Sequence, residues 1–251
     1  MTDSPHVDRR KFLASAAGAA TLVGHSFGGA VMIDAGAQSP WVTTVVGLAP
    51  QSYGTEAVSQ LAPRSLLLVH VINRRSFGWS MLHTLPSNVL LEALLLALGL
   101  AALMRDWGCV DVHEHDWWQR HAYRGLTFDC VPAQHWSARG LRDRNRTLWC
   151  GWTARSTDFG FYFAGDTGYW SGLAQIADRT GDIDLAALPI GAYAPRWFMQ
   201  GQHIDPAQAV QLHRELRARR SLAIHWGSFE LADDALDEPP RLLRAALAEA
   251  G

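Results

Sequence analysis

The side chains best suited to chemistry are one carboxylate and two imidazoles placed where apolar runs end. Phe161-Tyr162-Phe163 reads as a buried strand that stops in Ala164-Gly165-Asp166-Thr167-Gly168, and the glycines on either side of Asp166 allow a sharp turn. A carboxylate presented at the C-terminal end of a core strand suits a metal ligand. His135 lies in the loop that follows the run GLTFDCV, and His225 ends the run SLAI. A histidine offers a metal one nitrogen, so several elements must converge to build a site, whereas a carboxylate can bridge two ions through its two oxygens. Taken singly, Asp166 has the plain reading of a turn residue and each histidine that of a packed ring. Their joint placement at the ends of separate strands is what points to metal chemistry. A second chemistry is offered by Gly24-His25-Ser26-Phe27-Gly28, a G-x-S-x-G string between an apolar run and the helix-compatible AVMIDAG, in which Ser26 is an alternative nucleophile.

The elements that must hold these residues follow from periodicity. RTLWCGWTA and DFGFYFAGD form a hairpin ending at Asp166, DLAALPIGAY is a core strand, and SLAIHWG a last buried strand. Asp205-Pro206 opens a helix, with a carboxylate at the N-cap and proline at the first helical position, and a closing helix runs from about Pro240 to Ala250. VDVHEHDWW has the alternation of a strand. Earlier, VTTVVGLAP and APRSLLLVH read as two strands. The run from Val89 to Met104 contains Glu92 and falls short of the roughly 20 residues that cross a bilayer, so it predicts a buried helix and no membrane span.

Composition narrows the function class. With 251 residues, 48% of them hydrophobic, the chain can bury one large core or two small ones. A net charge of -2 and scattered basic residues argue against nucleic acid as a partner. Three cysteines without a C-x-x-C pair indicate neither a disulfide framework nor a thiolate zinc site. Eleven tryptophans are many for this length; most read as core, and a subset suits an apolar groove or peripheral lipid contact. Asp8-Arg9-Arg10-Lys11-Phe12-Leu13 before ASAAGAATLVG resembles a twin-arginine export signal over residues 1–20, which implies a periplasmic or exported protein. The competing reading takes Ala19 to Val23 as a core strand and leaves the protein cytoplasmic.

Residues 21–71 resemble a fragment of an α/β-hydrolase, with Ser26 at the nucleophile elbow. The acid expected after the last strand is replaced by Val71-Ile72-Asn73-Arg74-Arg75, so Ser26 lacks the partners that activate a serine. Residues 72–97 read as a linker or the buried apolar helix.

Residues 98–251 resemble the C-terminal half of a metallo-β-lactamase-fold hydrolase, specifically the N-acyl-phosphatidylethanolamine phospholipase D branch. The blocks that carry the resemblance are Asp116-Trp117-Trp118, Pro132 to Ser137, Phe163 to Tyr169, Leu188 to Tyr193, Pro195 to Met199, Gln202 to Pro206 and Ala223 to Gly227. The resemblance implies an α/β fold, an αββα sandwich, in which His135 binds one zinc, Asp166 bridges, and His225 binds the second zinc. It also places His203 beside the scissile phosphate, to hydrogen-bond substrate or help protonate a leaving group. In that family two zinc ions hold the hydroxide that attacks phosphorus in a phosphodiester. The family's H-x-H-x-D-H block is absent from this sequence, and His113-Glu114-His115-Asp116 imitates it only superficially. His135, Asp166 and His225 alone leave each zinc short of the three protein ligands usual in catalytic sites.

Three readings follow. The first is a zinc-dependent phosphodiesterase, phospholipase D-like, acting on a small-molecule or phospholipid substrate. The second is a serine esterase working through Ser26. The third is a non-catalytic mosaic or truncated chain. A domain-swapped homodimer is a route by which a second copy supplies the missing histidines.

Overall fold

The computed structural model describes residues 95–106, 111–123, 125–138, 142–227 and 232–251 in full, and the strands at 20–25, 42–48, 65–70 and 90–94 by their backbone. The chain divides into two compact units, a first that extends to His113 and a second made mainly of Glu114–Gly251. In the first, β1 (Ala20–His25), β2 (Val42–Leu48), β3 (Ser65–His70) and β4 (Leu90–Ala97) are neighbours in a parallel sheet, in that order, and β5 (Val112–His115) follows β4 in the same sheet. A strand runs over Ala20–His25, at the end of the stretch that carries both N-terminal readings. Ser26 and the paired arginines lie outside the described residues.

One expectation is corrected here. The apolar run from Val89 to Met104 is not one buried helix: Leu90–Ala97 is a strand, and only Ala101–Asp106 is helical (α1). The successive side chains Leu95 and Leu96 are both fully buried, although neighbours on a strand point to opposite faces. A strand covered on both faces reads as a continuous apolar run, which periodicity cannot tell from a buried helix. Gly99, at φ +91°, separates the two elements.

The second unit is built on a six-stranded sheet of order β11-β10-β9-β8-β7-β6. Its strands are β6 (Arg120–Tyr123), β7 (Leu126–Val131), β8 (Gly151–Arg155), β9 (Gly160–Phe163), β10 (Leu185–Pro189) and β11 (Arg220–Ile224). The hairpin expected before Asp166 is the antiparallel pair β8–β9, while β9, β10 and β11 run parallel. Since β7 and β9 are each antiparallel to β8, the strands β7, β9, β10 and β11 all point the same way. Their C-terminal ends therefore share one edge of the sheet, and the loops carrying His135, Asp166 and His225 leave from that edge.

Helices cover the sheet. A short 3-10 turn at Ser171–Ala174 leads into α2 (Gln175–Thr180), followed by α3 (Arg196–Met199), α4 (Pro206–Glu215) and α5 (Glu238–Ala250). The Asp205 side chain accepts the amide of Gln208 at 2.8 Å while the Gln208 side chain accepts the Asp205 amide, a capping box that starts α4 where the sequence predicts it. Apolar residues of α4, Ala209 and Leu212, join Ile176, Ala186, Leu188 and Tyr162 in one buried cluster. Strand β6 and helix α3 carry no sequence signal: neither has a single buried residue.

The loops at the shared edge are tied together by Thr167, which is fully buried. Its hydroxyl accepts the Gln134 amide at 2.9 Å and donates to the Gly168 carbonyl at 2.7 Å, and its own carbonyl accepts the Ile204 amide at 2.8 Å. Gln134 and Gly168 also form a β-bridge. One residue thus joins the neighbours of His135, Asp166 and His203. Thr167→Val keeps the shape and strands the part-buried Gln134 amide, for which a loss of about 1 kcal/mol is expected. A urea titration of the two proteins measures it, and equal midpoints would show that the hydroxyl ties nothing.

Candidate metal centre

Each functional side chain is placed by a local necessity. Gly165, at φ +64°, turns the chain directly after β9 in a conformation that side chains with a Cβ resist, and so presents Asp166 at the sheet edge. His225 itself adopts φ +61° one residue beyond β11. Gly191 makes a close approach: a Cβ there would collide with the His225 carbonyl oxygen and crowd Trp226. His203 sits between α3 and α4, its amide donating to the Met199 carbonyl at 2.9 Å and its carbonyl accepting from Arg196 Nη1 at 2.9 Å.

The structure brings these four residues together. His225 Nε2 lies 3.3 Å from Asp166 Oδ1. The His203 ring stands 5.3 Å from that of His135, edge to face, and 5.3 Å from that of His225, nearly parallel to it. His135 Nδ1 is 2.9 Å from the Trp136 carbonyl. A carbonyl only accepts, so Nδ1 carries the proton and Nε2 presents the lone pair, the arrangement by which a metal-binding histidine is usually oriented. Beyond His135, the Trp136 ring stacks on the imidazole with centroids 5.9 Å apart, and the Arg144 guanidinium lies 5.1 Å from the Trp136 ring centre.

Burial dominates the electrostatics. The His203 side chain is pushed down to about 4, first by burial, with His225 and His135 opposing its charge and Asp166 and Asp234 favouring it. Burial also lowers His135, against the pull of Asp166 and of the Trp136 carbonyl. Both rings are therefore neutral near pH 7, the form in which imidazole binds a metal or donates one hydrogen bond.

The donor set fits a divalent cation in kind. Two imidazoles and a carboxylate are ligands that a transition metal takes. His225 Nδ1 and His203 Nδ1 are buried with no hydrogen-bond partner among the described residues, a cost that a ligand would relieve. In number the set falls short: among the described residues no three of His, Cys, Asp or Glu are grouped so as to hold one ion. The imitation block does not repair this. His113 pairs with Asp111 at 2.7 Å, and His115 packs edge-on against His121 and Trp152. The string belongs to β5, as its place before Asp116-Trp117-Trp118 predicts. Sequence reasoning missed Asp234, which accepts the amides of Ala192 and Ala194 beside the site; nothing in its spacing signals this.

Comparison with known proteins agrees with this architecture. Over 154 residues the chain is 40% identical to the N-acyl-phosphatidylethanolamine-hydrolyzing phospholipase D 1 of Caenorhabditis elegans, an alignment covering 57% of this chain and 43% of that protein. The chain thus spans less than half the length of this relative. Among solved structures, Igni18, a metallo hydrolase from the archaeon Ignicoccus hospitalis, superposes with a TM-score of 0.53 at 16% identity, over 73% of each chain. The metallo-β-lactamase fold protein YhfI from Bacillus subtilis does so with a TM-score of 0.51 at 12% identity, covering 94% of this chain and 83% of its own. These likenesses show the metallo-β-lactamase fold that the C-terminal blocks imply. Residues 87–226 match the model of the beta-lactamase superfamily domain, more than half of the sequence, and the chain belongs to that superfamily.

Proposed function

We propose that this protein is a metal-dependent hydrolase, phospholipase D-like, that cleaves a phosphodiester in a phospholipid. The observation that carries the reading is the convergence of His135, Asp166, His203 and His225 at one sheet edge, with the buried Nδ1 atoms of His203 and His225 without hydrogen-bond partners among the described residues. The likeness to the nematode phospholipase D supports the substrate class. His135 through Nε2 would contribute a ligand to one metal ion and His225 to a second, with Asp166 shared between them, and we propose zinc because imidazoles supply most of these donors. Such an ion, when bound, supplies a nucleophile at neutral pH and stabilises charge on the phosphoryl oxygens. The remaining ligands come from outside the described residues, and a second copy of this chain is one source.

His203 is suited to a different task. Its buried, neutral ring stands between those of His135 and His225, and a single N–H there can donate to a phosphoryl oxygen. With its basicity lowered by burial, the ring is a neutral hydrogen-bond donor to substrate rather than an imidazolium acid charged in advance.

Exposed aromatics flank the site. Trp197 and Phe198 on α3 are 78% and 60% exposed with ring centres 5.7 Å apart, and Trp226, next to His225, is 42% exposed. Among the described residues no helix is long and apolar enough to cross a membrane. Rings of this kind beside a lipid-cleaving site favour peripheral contact with the headgroup region, where amphipathic aromatics settle.

Two experiments test the proposal. Zinc content after dialysis is expected at one ion or more per chain and to collapse in Asp166→Ala; little or no zinc in both proteins would leave a hydrolase fold without a metal centre. Replacing Trp197 and Phe198 by alanine is expected to weaken sedimentation with phosphatidylethanolamine vesicles about tenfold or more, from the lost burial of two large rings. Hydrolysis of a water-soluble phosphodiester should be retained in that variant, and unchanged vesicle binding would reject the lipid contact.

A further inference from the structure

The loop after β10 is held from outside by the segment that leads into α5. Asp234 Oδ2 accepts the Ala192 amide at 2.9 Å and Oδ1 accepts the Ala194 amide at 3.3 Å, while the Asp233 amide donates to the Ala194 carbonyl at 3.1 Å. Between those amides, the buried Tyr193 donates its hydroxyl to Glu238 Oε1 at 2.5 Å. Burial, then the hydrogen bond to Glu238 and the nearby carboxylates, raise the Tyr193 hydroxyl, so it remains a donor. The clasped loop contains Ala192 at φ +60°, a left-handed conformation that an L side chain adopts only when its surroundings impose it.

Both ends of this loop touch the site. Gly191 lies against the His225 carbonyl, with no room for a Cβ. At the other end Arg196 donates to the His203 carbonyl at 2.9 Å, pairs with Asp205 at 3.3 Å and donates to Gln208 at 2.9 Å, which ties the loop to the start of α4. A carboxylate that takes two amides of one strained turn fixes that turn more firmly than either bond alone.

We propose that Asp234 is a positioning residue: by holding Ala192 in its left-handed conformation it sets the spacing between the imidazoles of His203 and His225. Its hydrogen bonds go to the loop amides, so it acts through Gly191 on one side and Arg196 on the other, beside the pull of its charge on His203. Glu238 supports it by anchoring Tyr193. This inference concerns the geometry of the two histidines and stands whether or not the substrate is a phospholipid.

The test is read on the metal-free full chain, by the ring nitrogen and proton NMR signals of His203 and His225, identified by His203→Gln and His225→Gln. Asp234→Ala is expected to shift both sets of signals and to lower zinc affinity about tenfold or more, as loss of an orienting partner commonly does. Ala192→Gly supplies the left-handed conformation at little cost. Added to Asp234→Ala, it is expected to restore the signals and most of the affinity, a rescue that a merely structural role would not produce. Asp234→Asn keeps one strong acceptor and should show smaller shifts of the same sign, so it carries the test if the alanine variant does not fold. Unmoved histidine signals in a folded Asp234 variant would overturn the proposal, as would the failure of Ala192→Gly to restore them.

Discussion

The site depends on one buried hydroxyl. Thr167 follows Asp166 directly, and its side chain and carbonyl reach the two other loops that must meet it, at Gln134 and at Ile204. A loop fixes a side chain only as well as its own backbone is fixed, and the backbone amides of an exposed turn would otherwise be satisfied by water in many geometries. Burying Thr167 removes that freedom. The parallel course of β7, β9, β10 and β11 delivers the loops to one edge, and Thr167 turns proximity into a defined constellation.

The electrostatic character of the site follows from that closure. Rings brought within 5.3 Å of each other and shielded from water cannot all be charged, and burial resolves this by keeping His203 and His135 neutral. Asp166 then faces two neutral rings, those of His203 and His135, which do not oppose the approach of a divalent cation. The same closure leaves His203 Nδ1 and His225 Nδ1 without hydrogen-bond partners among the described residues. Buried polar atoms left open at strand ends are costly to stability, and sites that bind ligands are where such costs are retained.

Much of this was legible in the sequence, and the exceptions have physical causes. Asp166, His135 and His225 announced themselves because glycines and abrupt ends of apolar runs mark where a strand stops, and the capping pattern at Asp205 fixed the start of α4. His203 was found through the resemblance of its block and not by spacing. Leu90–Ala97 was misread because a strand buried on both faces carries no alternation. Arg120–Tyr123 and Arg196–Met199 were unread because neither element buries a side chain, so neither leaves an apolar period. Asp234 was invisible for another reason: its partners are backbone amides some 40 residues earlier, and an amide has no letter in the sequence.

The central claim is the proposal that His135, Asp166 and His225 each contribute a ligand to a divalent metal centre while His203 stands beside it. X-ray absorption at the zinc edge of the zinc-loaded protein tests this most directly. The account predicts nitrogen and oxygen neighbours at roughly 2.0–2.1 Å with imidazole scattering beyond them. That scattering should weaken in His135→Gln and persist in His203→Gln. Sulfur at roughly 2.3 Å, or a spectrum indifferent to His135 and altered by His203, would contradict it.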